Sequence, residues 1–119
     1  MSTAPAPHPA AFARQFSLEA TRPNSAEIAM LADIVPRGTA LYLTAVPTQN
    51  TRELVTAAAA VRKAGLEPVA HIAARRLASA GALQELLTRF HGEADMRRLL
   101  VIGGDVDAPG AFGDALAVI

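Results

Sequence analysis

"NTRELVTAAAAVRKAGLEPVAHIAA" (residues 50–74) contains one complete structural unit of this chain. Asn50 stands three residues before Glu53, the spacing of a helix N-cap and its reciprocal acidic partner. Leu54, Ala58 and Val61 then fall on one helical face. Gly65 stops the run, because glycine accepts the left-handed conformation that closes a helix. Residues 67–74 follow at once and are apolar for most of their length, as a strand covered on both faces reads. A helix passes into a strand here with no hairpin signal between them.

The same unit extends in both directions. Upstream, "QFSLEAT" (15–21) alternates Phe16 and Leu18 with Ser17 and Glu19, the period of a strand. A helix is expected next, with Asn24 as N-cap and Glu27 three positions on, Ile28, Leu31 and Val35 on one face, and Pro36 and Gly38 as its stop. "ALYLTAV" (40–46) is the second strand. Downstream, Ser79 is expected to cap a helix whose Leu83, Leu86, Leu87 and Phe90 form a stripe ending at Gly92. "RRLLVIGGD" (97–105) is the fourth strand, and "AFGDALAVI" (111–119) the start of a last short helix.

That order, β-α-β-α-β-α-β-α, implies parallel strands joined by crossover helices, hence an α/β fold. Two architectures fit: half or part of a TIM-type (β/α)8 barrel, or a small doubly wound open sheet. Four units are half of a barrel. A lone half exposes the edges of its first and last strands, so a homo-oligomer or a partner chain is expected to cover them. Residues 1–13 are Pro/Ala-rich and are expected to be a flexible lead-in, with residues 14–119 as one domain.

Composition narrows the function classes. The 119 residues carry 11 basic and 11 acidic side chains, so there is no net charge to draw the chain to nucleic acid or to a membrane surface. Aromatic residues make up only 4%, which argues against a base-stacking surface. The absence of cysteine removes disulfides and thiolate metal ligands and fits a cytoplasmic protein. No apolar run approaches the roughly 20 residues that span a bilayer, and the N-terminus does not read as a secretion signal. His8 lies in the lead-in and His91 near a helix end, so a three-histidine metal site is not expected.

The functional signal lies at the strand ends. Glu19, Thr44, His71 and Asp105 are polar side chains at or near the carboxyl ends of the four apolar strands. In parallel α/β folds that edge is where sites are assembled. Each residue also has an ordinary reading: a solvated charge, a strand-forming threonine, a hydrogen-bonded histidine, a Gly-Gly-Asp turn. The four-fold coincidence outweighs them. "VIGGDVDAPG" (101–110) matches neither the dinucleotide fingerprint nor the phosphate-loop pattern. Arg75–Arg76 and Arg97–Arg98 read as surface pairs, with Arg75 close enough to the third strand to meet an anionic ligand.

"FSLEATRP", "LYLTAVP", "PVAHIAAR" and "LLVIGGD", in this order and spacing, resemble the methylenetetrahydrofolate reductase family over residues 15–119, the N-terminal half of that family's barrel. The resemblance implies a flavoprotein of one-carbon metabolism. NAD(P)H reduces bound FAD, which passes a hydride to a methylene-folate. It implies that Glu19 is the acid that opens the folate's one-carbon bridge. Asp105 would lie close to the flavin ring and the pterin, Thr44 and His71 would contact FAD, and Gly104 would supply backbone at the same turn.

The chain departs from the family at three places. "ATRP" stands where two aromatics and Pro-Pro are common, Gly103 replaces an arginine, and "IAA" replaces a polar pair after the histidine. Such differences fit a branch with another one-carbon donor or reductant. Two alternatives share the same residues: a non-redox folate- or flavin-binding half-barrel, and a flavin-free methyltransferase subunit using methyltetrahydrofolate.

Overall fold

The computed structural model describes residues 8–119. A five-residue helix, α1 (Pro9–Ala13), lies within the segment expected to be a flexible lead-in, with the His8 side chain accepting a hydrogen bond from the Ala10 amide. The repeating units follow as β1 (Leu18–Ala20), α2 (Ser25–Ile34), β2 (Ala40–Leu43), α3 (Thr51–Lys63), β3 (Glu67–Ala73), α4 (Ala80–Ala94) and β4 (Arg98–Ile102). A single 3₁₀ turn, Ala74–Arg76, leaves the end of β3.

The caps read from sequence form as expected. Asn24 and Asn50 each accept the amide of the glutamate three residues on at 2.8 Å, and Ser79 accepts the Ala82 amide at 3.0 Å. Each satisfies an amide that the first helical turn leaves without a partner. Gly65 closes α3 at φ +89°. Gly92, expected to stop α4, lies inside it; Asp95 ends the helix in the left-handed conformation at φ 46°.

Every strand is parallel to its neighbour in sequence, in the order β1-β2-β3-β4. Right-handed crossovers in that order place successive helices on one face of the sheet. The core lies there: Leu41, Leu43, Ala70 and Ile72 of the strands pack with Val55, Ala58 and Val61 of α3 and Phe90 of α4. The alanine-rich face of α3 lets that helix sit close to the sheet. A doubly wound sheet reverses its strand order and carries helices on both faces, so that alternative is set aside. This is an α/β fold with a four-stranded, singly wound parallel sheet.

At the amino-terminal end of the strands, Arg62 draws three elements together. Its guanidinium meets Glu67 at 2.7 Å and the Asp95 carbonyl at 2.8 Å, joining α3, the start of β3 and the end of α4. The Glu67 carboxylate holds the Arg62 pKa above its ordinary value.

The last helix expected from sequence does not form. Residues 111–119 make turns and bends instead. Nine residues are too few to hold a helix by local hydrogen bonds alone. This segment is fixed by tertiary bonds: the amides of Gly110 and Ala111 donate to the carbonyls of Arg75 and Leu77, both at 3.0 Å. A Cβ on Gly110 would lie 2.1 Å from the Leu77 carbonyl oxygen, so the docking requires glycine there. Among the described residues no helix is long and apolar enough to cross a membrane.

Leu41 is fully buried between the sheet and the helices. Leu41→Ala is expected to lower stability by about 3 kcal/mol. The urea midpoint should fall with the slope unchanged.

Candidate functional site

Strand parity decides which side chains face away from the helices. Leu18 and Ala20 pack against the core, so Glu19 between them faces the other way. By the same rule Leu41 and Leu43 turn Tyr42 outward, and Ala70 and Ile72 do the same for His71. The register then sets Glu19 opposite Tyr42 on the next strand. Thr44 lies one residue past β2, but its amide still donates to the Ala20 carbonyl at 3.1 Å, continuing the ladder.

Three of the four expected residues therefore meet on this open face. The Thr44 hydroxyl donates to Glu19 Oε1 at 2.9 Å. His71 Nε2 lies 3.9 Å from the same oxygen, too far for a hydrogen bond but close enough for charge attraction when the ring is protonated. The His71 side chain is 10% exposed and that of Glu19 is 59% exposed. A carboxylate open to solvent thus sits over a buried imidazole. Tyr42 meets the His71 ring edge-on, with centroids 6.2 Å apart. A cleft of about 320 Å³ lined by Ser17, Glu19, Tyr42, His71 and Leu100 opens over the group.

Asp105 does not join this cluster. It pairs with Arg76, which lines a second cleft of about 260 Å³ with Gln49, Asn50 and Leu86 at the carboxyl edge of the sheet. His71 lines both clefts and lies between the two groups. The hydrogen bond from Arg76 holds the Asp105 carboxyl below the usual carboxylate range. Gly104 adopts φ +97°, a conformation that favours glycine, and a Cβ there would come within 3.5 Å of the Ala73 side chain. The turn therefore lies close against the end of β3.

The arginine pair after β3 is not the surface pair expected from sequence. Arg75 donates from Nε to the Val106 carbonyl at 2.8 Å, from Nη2 to that of Asp107 at 2.6 Å and from Nη1 to that of Gly113 at 3.0 Å. Its guanidinium is spent on the C-terminal segment rather than presented to an anion. On the same carboxyl rim Arg22, from the "ATRP" stretch, pairs with Glu53 at 3.0 Å and Thr48 at 3.0 Å, tying the end of β1 to the start of α3.

No family model matches the chain. The chemistry must therefore be read from the side chains. Glu19 has one oxygen braced by Thr44, and its exposed carboxyl can exchange a proton with a molecule lying on the open face. His71 makes no hydrogen bond among the described residues, which leaves its ring nitrogens for a ligand.

Two members of the site were missed in the sequence. Tyr42 was legible, since the alternation of "ALYLT" puts it on the same face as Thr44. Arg76 had no local signal; only the fold of residues 103–105 brings Asp105 to it.

The Arg76–Asp105 pair predicts a pH dependence. Asp105 titrates lower in the folded chain than unfolded, so its stabilisation is present above the unfolded value and is lost as pH falls through the folded one. In Arg76→Gln the Asp105 midpoint, followed by carboxyl carbon NMR, should rise toward the ordinary range. The acid limb of the stability curve should flatten with it.

Proposed function

We propose that this chain is a methylenetetrahydrofolate reductase-like oxidoreductase of one-carbon metabolism, its four units forming one sector of a (β/α)8 barrel. The observation that carries this reading is the Glu19 carboxylate, braced by Thr44 above buried His71 on the sheet face opposite the α2–α4 layer. In a singly wound parallel barrel that face is the interior, and its carboxyl end is the mouth where substrates bind.

The residues present fit a flavin. Gly104 keeps the turn after β4 free of a side chain at the end of β3, and His71 offers an unbonded ring between two clefts. In this reading Thr44, His71 and the Gly104–Asp105 turn hold FAD, which when bound supplies hydride transfer from NAD(P)H to the folate. Glu19 holds a proton at its free oxygen and delivers it to the one-carbon bridge, while Thr44 fixes the carboxyl plane. In this reading Asp105, paired with Arg76, would lie at the turn beside the ring.

The test begins with an absorption spectrum after incubation with FAD and removal of free cofactor. Retained flavin that is lost in His71→Ala supports the assignment. Glu19→Gln should keep the flavin and its reduction by NAD(P)H but slow reduction of methylene-folate by about 10²–10⁴-fold. A folded protein that retains no flavin overturns the reading. If it holds methyltetrahydrofolate instead, a flavin-free methyl-transferring subunit takes its place.

A further inference from the structure

Most of the arginines are engaged within the fold. Arg22, Arg62, Arg76, Arg89 and Arg97 pair with carboxylates, and Arg75 with backbone carbonyls. Three of those without an ion pair or side-chain hydrogen bond among the described residues meet in one place. Arg14, Arg37 and Arg98 line a single cleft of about 460 Å³ with Phe16, Ser17 and Tyr42, and no acidic residue lines it. The balanced charge of the whole chain thus conceals a local excess of cations.

Separate segments bring the three together at the amino-terminal end of the strands. Arg14 follows α1, Arg37 lies in the turn between α2 and β2, and Arg98 opens β4. That turn is pinned on both sides. The Gly38 amide donates to the Gly65 carbonyl at 2.8 Å, the Thr39 hydroxyl to that of Pro36 at 2.6 Å, and the Glu67 amide to that of Thr39 at 3.0 Å. The Arg37 guanidinium rests against Gly65, where a Cβ would come within 3.2 Å of Nη1. Strand parity places Arg98: Val101 packs against the core, so Arg98 faces the other way, while Arg97 beside it pairs with Asp95. Like charges gathered without a carboxylate repel one another, and a bound anion removes that cost.

We propose that this cleft is a binding site for a diphosphate group. Each guanidinium presents a planar fork of N–H donors that fits two oxygens of a phosphate. A phosphate group bears about 1.5 to 2 negative charges near neutral pH, so two linked ones balance three arginines where one leaves cation to spare. The hydroxyls of Ser17 and Tyr42 can donate to further oxygens. The Phe16 ring, 41% exposed at the same cleft, offers an apolar surface for the organic part of a nucleoside diphosphate. Ser17 and Tyr42 also line the cleft over Glu19, so the two sites adjoin on one sheet face. Neither the cleft nor its charge depends on the flavin reading.

Calorimetric titration of the flavin-free 119-residue chain with inorganic diphosphate and with ADP tests it. Saturable binding that weakens as salt rises is expected. Arg37→Gln and Arg98→Gln should each weaken it roughly tenfold or more, with the circular dichroism unchanged. Arg37→Lys should weaken it less, because the charge remains and the fork is lost. Arg52→Gln removes the same charge from a different cleft and should leave binding as it was. ADP held more tightly than inorganic diphosphate, with the difference lost in Phe16→Ala, identifies a nucleotide. Equal affinity identifies the free anion, and the diphosphate site stands in both cases. A folded chain that binds neither ligand overturns the inference, as does one that binds citrate as tightly, takes an oligoglutamate peptide in their place, or responds equally to Arg52→Gln. His71→Ala should leave diphosphate binding intact, so failure here and failure of the flavin assignment are separable.

Discussion

Two adjacent parallel strands cannot be joined by a tight turn, and the return path between them has one favoured hand. Almost everything else here descends from that constraint. With strands taken in sequence order, each crossover lands beside the previous one, so α2, α3 and α4 form a single layer. One face of the sheet then becomes the core and the other is left for something else. Glu19, Tyr42 and His71 are on the second face because their strand neighbours are on the first. The same geometry that buries Leu41 therefore turns the residue beside it into part of a site.

How much of this was legible in the sequence follows from the range of the interactions involved. The three asparagine and serine caps and the stop at Gly65 rest on contacts within a few residues and read correctly; the four strands were legible as apolar or alternating runs, although the second ends at Leu43 and the fourth at Ile102, short of the expected 46 and 105. The meeting of Glu19, Thr44 and His71 was legible one step removed, through strand parity and order. What escaped was set at long range. The helix expected over 111–119 gave way to bonds with Arg75 and Leu77, more than thirty residues earlier. Asp105 looked like a fourth member of one cluster, but the chain turns after β4 and gives its carboxylate to Arg76 instead. Short periodic signals carry no information about such partners.

The adjacent arginines, 75 and 76, divide two tasks that sequence alone cannot separate. Arg75 spends its donors on three backbone carbonyls, so its role is to hold the C-terminal segment against the end of β3. Arg76 reaches a side chain and lines a cleft. A lysine cannot replace the first without loss, because a single ammonium lacks the planar fork that meets several acceptors at once. The same guanidinium chemistry serves architecture at one residue and site electrostatics at the next.

The Arg62 junction has a consequence for how this protein can change. It binds three elements at the amino-terminal rim of the sheet, far along the strands from the Thr44–Glu19 contact. The two rims therefore rest on separate sets of side-chain contacts, that of Arg62 at one and those of Arg22, Thr44 and Arg75 at the other. Loops at the carboxyl rim can lengthen, shorten or exchange residues while Arg62, Glu67 and Asp95 keep the frame. A lineage built on this frame is free to explore new ligands at one rim without first renegotiating its fold at the other.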